Sequence, residues 1–301
     1  MLRIIDILLQ SGRSALELSL YILLPIMVLM MGLMKLLEAK GVLAFVARVL
    51  TPVLKPFGIP GIGVFAILQS LLVSFAAPVA TLSIMEADGT PTRKIAATLA
   101  MVFTISQANV VFPMLTVGLN LWVVLLTSLI GGVVASTVTY YFFARSRDDE
   151  LPQTGVRVES TVLPSKGVLE HLLEGGYDGV QLAIKSIPIL VFTICLVNAL
   201  KAVGLIDFLV WSLSPAVLPI ATKFIAGGTA MMGITIPLVQ EGGISALELN
   251  RLAGLIINPL DLVGFAVLTA PGPRVKSAAR PAFLGAVVGI LVRAGLHYVI
   301  F

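Results

Sequence analysis

Apolar residues run along this chain in blocks too long for a soluble fold. Residues 15–37, 121–143, 179–200 and 282–301 are each apolar over the roughly 20 residues that a helix needs to cross a bilayer. Two further blocks, 62–85 and 94–117, are apolar but interrupted, by Ser74-Phe75-Ala76-Ala77-Pro78 and by Ser106-Gln107-Ala108-Asn109. The second half repeats the arrangement at 224–239, with Gly233-Ile234-Thr235-Ile236-Pro237, and at 247–269, with Asn258-Pro259-Leu260-Asp261. Shorter apolar helices are predicted over 42–54 and 205–218, and either could span or re-enter. The first ten residues set Arg3 and Asp6 among isoleucines and leucines, which predicts an amphipathic helix lying in the interface. No small-residue cleavage site follows, so no cleaved signal peptide is expected. The pattern predicts an all-α polytopic membrane protein.

Composition agrees. Of 301 residues 58% are apolar and 12% charged, where soluble domains carry about 25% charged residues. Mean hydropathy is +1.04. A single Cys and two His exclude a disulfide framework and a Cys/His zinc site. The net charge of +4 is small and dispersed, so no nucleic acid partner is implied. No phosphate-binding loop, dinucleotide fingerprint or nucleophile–base pair stands out, so the chain is not read as an enzyme. One polar segment, 146–166 (SRDDELPQTGVRVESTVLPSK), splits the chain into a membrane half 1–145, a cytoplasmic linker and a membrane half 167–301. A short surface helix is expected at 168–173.

The halves repeat each other. Shifted by 163 residues, 25–56 falls on 188–219 with eleven identities in thirty-two pairs, among them Pro25/Pro188, Gly41/Gly204, Pro52/Pro215 and Pro56/Pro219. Apolar composition alone would match Leu with Leu, but it would not align Pro and Gly. A shift of 153 then places 99–116 on 252–269. Charge separates the copies. Residues 118–120 carry no Lys or Arg, whereas the matching loop carries Arg274, Lys276 and Arg280; Arg93 and Lys94 oppose Gln240-Glu241-Gly242-Gly243. By the positive-inside rule the equivalent loops face opposite sides. The reading is two inverted repeats of about five helices each, with broken or re-entrant helices.

Interrupted helices within inverted repeats are a plan of secondary transporters, whose sites lie near the midplane. Proline removes one backbone hydrogen bond and blocks another, which marks Pro78, Pro237 and Pro259 as helix breaks. The groups so freed must be satisfied by protein, water or ligand. Around the breaks stand Gln69, Ser74, Thr81, Ser106, Gln107 and Asn109 in the first half, and Thr235, Asn258 and Asp261 in the second. Such side chains recognise a neutral polar solute by hydrogen bonds without a large charge-burial penalty. Asp261 is the one carboxylate placed deep in a span, either paired with Lys185 or Arg293 or carrying a coupling proton or sodium ion. Lys185 and Arg293 could instead snorkel to the interface, and His171 and His297 read as surface residues. Ser and Thr in a membrane helix usually bond their own backbone or a neighbouring helix, and Gly131-Gly132 read as helix-packing positions. No metal site and no cofactor beyond a coupling ion are implied.

The string of motifs resembles the nucleoside-recognition, or gate, domain family. The features are the helix with Pro25, the step Gly41-Val42-Leu43-Ala44-Phe45, the turn Phe57-Gly58-Ile59-Pro60-Gly61, the break Ser74 to Thr81, and Arg93 entering the next helix. The second copy matches at Gly204-Leu205-Ile206, Ile234-Thr235-Ile236-Pro237 and Arg251. That family includes concentrative nucleoside transporters, the membrane part of ferrous iron transporter B, and spore maturation proteins A and B. The cysteine of the iron transporter's break is replaced here, at Phe75 or Ala76, which argues against iron. The resemblance implies a multi-pass protein of a bacterial or archaeal inner membrane. It would move a small polar or nucleoside-like solute by alternating access; the alternative is a membrane assembly or scaffold protein of the spore-maturation type. Its partners would be the bilayer, the solute and, where it oligomerises, further copies of itself.

Overall fold

The computed structural model describes residues 2–74, 76–145, 167–202 and 215–301. The linker 146–166 and most of the helix expected at 205–218 lie outside the described residues. Those described form helices and no strand.

The first half begins with α1 (Leu2–Glu17), which passes through a π-helical turn, Leu18–Leu23, into α2 (Leu24–Ala39). The expected interfacial helix is therefore continuous with the first span, and Ile7–Ala39 is apolar enough to cross a membrane. Next, α3 (Val42–Leu54) covers about 20 Å, less than the ~30 Å of a hydrocarbon core. The chain bends by 111° between Val42–Phe57 and Gly61–Leu72. Helices α4 (Gly61–Leu72) and α5 (Pro78–Ala87) form a hairpin, followed by the broken pair α6 (Thr92–Thr104) and α7 (Ala108–Met114), then α8 (Leu121–Val138). The second half runs α9 (Val168–Ala202), α10 (Val217–Ala226), α11 (Gly228–Gln240), α12 (Ala246–Ile256), α13 (Leu262–Leu268) and α14 (Pro273–Ile300). The surface helix expected at 168–173 is the first turns of α9, whose 35 residues contain Pro188 without ending there. By the 153-residue sequence shift, the break between α6 and α7 falls on the break between α12 and α13.

Helix α6 is the centre. Every residue from Ile95 to Thr104 is buried, and the strongest packing of α6 is against α14 and then α8. A helix apolar all round is stable only when enclosed, and this one is. Helices α8 and α14 approach closely because both carry small residues: a Cβ on Gly289 would strike Gly131 O and Ala135, and one on Gly285 would strike Thr139. Gly131 and Gly132 thus serve packing, as the sequence suggested. Helices α2 and α9 meet in the same way, through Gly32, Gly175 and Gly179. Small residues matter here because association inside lipid rests on van der Waals contact between close backbones.

One carboxylate ties the halves together. Glu86, at the end of α5, accepts the backbone N–H groups of Arg274 (3.1 Å) and Val275 (2.8 Å) at the start of α14. A negative charge there satisfies two orphan donors and complements the helix dipole.

Gly289→Ala should destabilise the folded protein by roughly 1–3 kcal/mol, because the α8/α14 contact leaves no room for a methyl group. Gly295→Ala, on the same helix with nothing within 4 Å of the added Cβ, should leave the melting temperature unchanged or slightly raised. Thermal unfolding in detergent compares the two.

Candidate functional site

Three local interruptions build the centre of the protein. Helix α6 stops at Thr104, and Ile105 and Gln107 are extended before α7 resumes at Ala108. Helix α12 stops at Ile256, and Asp261 is extended (φ −145°, ψ 176°) before α13 begins. Side chains stabilise the second break locally. Asn258 Oδ1 accepts from Leu260 N–H (3.0 Å) in an Asx turn, and Asp261 Oδ1 accepts from Gly264 N–H (2.7 Å) as the cap of α13. The third interruption is a single residue, Gly227, with φ 88° and ψ 176°, between α10 and α11. A positive φ with extended ψ is glycine territory.

These interruptions meet. Gln107 Nε2 donates to Asn258 O at 3.0 Å, joining the two broken helices across the halves. Lys223, in the last turn of α10, donates from Nζ to Asp261 Oδ2 (2.8 Å) and to Leu260 O (3.0 Å). Lys223 is fully buried and the Asp261 side chain nearly so. The tip of the second hairpin fits between these groups only because it lacks side chains: a Cβ on Gly228 would come within 2.7 Å of Gln107 Nε2. Gln107, Asn258 and Asp261 therefore share one buried polar centre with Lys223, a residue the sequence reading did not select. The cation paired with Asp261 is Lys223 and not Arg293; the side chain of Lys185 lies outside the described residues.

Arg293 does different work. It was expected to reach for the interface, yet it is fully buried. Its Nη1 donates to Thr104 O (2.5 Å) and Ile257 O (2.9 Å), and its Nη2 to Ser106 Oγ (2.9 Å). Those two carbonyls belong to the ends of α6 and α12, at positions related by the 153-residue shift. One guanidinium on α14 thus answers both broken helices. Ser106 is held further by Ser128 of α8, whose Oγ lies 2.5 Å from its own. His297, read from sequence as a surface residue, is also buried. Its Nδ1 donates to Asn250 O (2.6 Å), since a carbonyl can only accept, and Thr127 Oγ1 lies 2.8 Å from Nε2. Both residues sit near the end of α14, but α6, α8 and α12 cover the helix there, so neither reaches lipid.

The remaining candidates separate. Thr81 Oγ1 donates to Gln69 Oε1 at 2.7 Å, locking α5 against α4. Ser74 is buried at the hairpin break, its carbonyl accepting from Ala77 N–H. Pro78 opens α5 after that break, and Pro259 lies within the unwound segment. Pro237 does not interrupt: α11 runs through it to Gln240, and the break lies ten residues earlier at Gly227. Thr235 is inside that helix and bonds back to Met231 O (2.7 Å). Asn109 is buried with its Oδ1 unpartnered. It lines a small, partly open cleft of about 10 Å³, room for a single water, between Met27, Met30 and Met31 of α2 and the break after Leu72.

This architecture defines a class: an all-α, multi-pass membrane protein with the fold of concentrative nucleoside transporters. The solved structure of CNTnw in an inward-facing, substrate-bound state superposes with a TM-score of 0.66 at 17% identity, covering 92% of this chain and 73% of that one. A doubly substituted CNTnw in an outward-facing state gives 0.66 at 16% identity, covering 98% and 84%. A third, in an intermediate state, gives 0.68 at 17% identity, covering 92% and 74%. In sequence, residues 20–144 match the Gate family, described as nucleoside recognition, as the resemblance implied. Spore maturation protein B of Bacillus subtilis (strain 168) is 30% identical over 101 residues, which is 31% of this chain and 56% of that protein.

Arg293→Ala should leave Thr104 O, Ile257 O and Ser106 Oγ without their buried donor. The expected cost is about 3 kcal/mol or more, read as a sharp loss of folded protein in size-exclusion chromatography. Arg293→Lys keeps the charge but not the forked geometry, so it should recover only part of that loss.

Proposed function

We propose that this protein is a secondary transporter of a small polar or nucleoside-like solute, working by alternating access in a bacterial or archaeal inner membrane. One observation carries the reading. A hairpin tip and two unwound helix segments, one from each half, converge on a buried polar centre at Gln107, Asn258, Lys223 and Asp261. Exposed backbone at membrane depth is stable only where it is satisfied internally or lines a cavity, and a structure built solely for rigidity has no need of it. The reversed charge of equivalent loops supports an inverted relation between the halves, in which one set of elements rocks against the other. In this mechanism the Asp261 carboxylate, paired with the Lys223 ammonium, couples solute movement to a proton gradient.

The second reading is a membrane assembly or scaffold protein, favoured by the likeness to spore maturation protein B. Solute binding distinguishes the two. Purified protein screened by thermal unfolding against nucleosides, bases and other small polar solutes should be stabilised by its substrate through mass action. A scaffold should respond to none.

Uptake into proteoliposomes then tests the centre. Replacing only one member of the Lys223–Asp261 pair would strand a buried charge, so the informative variant is Lys223→Met with Asp261→Asn. It should fold with a melting temperature near that of the unaltered protein and yet accumulate no solute. Unchanged uptake in this double variant would reduce the pair to a structural role.

A further inference from the structure

Helix breaks in membrane proteins commonly hold a monovalent metal ion. Unwound carbonyls and half-helix C-termini supply partial negative charge in a medium where an ion keeps its full effect. This chain has two such places among its described residues, and a side chain of the protein fills each. At the first, the carbonyls of Thr104 and Ile257 face one guanidinium nitrogen of Arg293. At the second, Asp261 Oδ2 and Leu260 O face the ammonium of Lys223 at 2.8 and 3.0 Å. A carboxylate oxygen and a backbone carbonyl are the ligands a hard cation takes. Here the cation is covalently attached, with its stem on α10, one turn before the hinge glycine Gly227.

We propose that Lys223 is the resident cation of this site: its ammonium occupies the place of a monovalent metal ion, so that the native protein binds none there. The oxygen set itself fits an ion, and it is the tethered charge that excludes one. Two consequences follow from electrostatics. The centre is neutral as it stands, since one ammonium faces one carboxylate. A sodium or potassium ion entering beside Lys223 would place two positive charges against a single carboxylate in a buried site, which is strongly unfavourable. With Lys223 shortened, Asp261 becomes a buried, uncompensated anion next to a free carbonyl, and a metal ion becomes the favoured partner. The inference concerns the equilibrium state of the site and stands whether or not the protein transports.

The test is thermal unfolding of the purified full chain in sodium, potassium or N-methylglucamine chloride at equal ionic strength. The native protein should melt at the same temperature in all three. Lys223→Ala should melt lower in N-methylglucamine and regain roughly 3 °C or more in sodium or potassium, in proportion to ion concentration. Lys223→Arg, which keeps a tethered cation, should stay indifferent to the salt. In Lys223→Ala combined with Asp261→Asn, the rescue should vanish. Stabilisation of the native protein by sodium or potassium over N-methylglucamine would overturn the proposal. So would a Lys223→Ala protein whose stability ignores the metal ion, or one that cannot be recovered folded even when extracted in sodium.

Discussion

A backbone carbonyl freed inside a membrane has no water to turn to, and the architecture of this protein is arranged around that constraint. Helices α6 and α12 end in mid-fold, and each end exposes acceptors at a depth where an unsatisfied one costs several kcal/mol. Three long side chains answer them. Arg293 spans Thr104 O and Ile257 O, Gln107 reaches Asn258 O, and Lys223 takes Leu260 O together with the Asp261 carboxylate. The residues that close the gaps come from helices other than the ones that are broken, or from the opposite break. The interruptions are thereby also the joints that hold the two halves in register.

Glycine and charge divide the labour at those joints. Gly228 lets a hairpin tip lie against Gln107, where a side chain would intrude, and Gly227 supplies the positive φ that turns the chain beside Asp261. Gly131, Gly285 and Gly289 bring α8 and α14 near enough for Arg293 to pass between them to α6. A buried charge is tolerable where acceptors face it, and removing one partner is far more costly than never having had the pair. The centre is consequently demanding of exact composition even though most of the surrounding surface is interchangeable aliphatic.

Much of this could be read from the sequence, for reasons that also explain what could not. Ser106-Gln107-Ala108-Asn109 and Asn258-Pro259-Leu260-Asp261 announce unwound segments because polar amides and a proline inside apolar helices compete with the helical ladder. The repeat was legible because Pro and Gly align where aliphatic matches mean little. Pro237 misled. It sits three residues before the end of α11, where losing one hydrogen bond does not stop the helix; the chain breaks instead at Gly227, between α10 and α11. Lys223 and Arg293 stood near the ends of their apolar runs, where long cationic side chains usually reach for the interface. Only tertiary packing reveals that both turn inward. His297 was hidden by the same assumption, since α12 and α8 cover a stretch of α14 that the one-dimensional pattern presents as exposed.

Helix α6 lies enclosed by α8 and α14, and every residue from Ile95 to Thr104 is buried. Its principal companion, α14, is made long after it. A ribosome feeding this chain into the membrane releases α6, with its polar interruption, long before α14 and Arg293 exist. During that interval Thr104 O and Ser106 must find temporary partners in the insertion machinery, in water or in the first hairpin. The finished topology therefore sets an order for biogenesis: α6 reaches its enclosed packing only once α14 has been made.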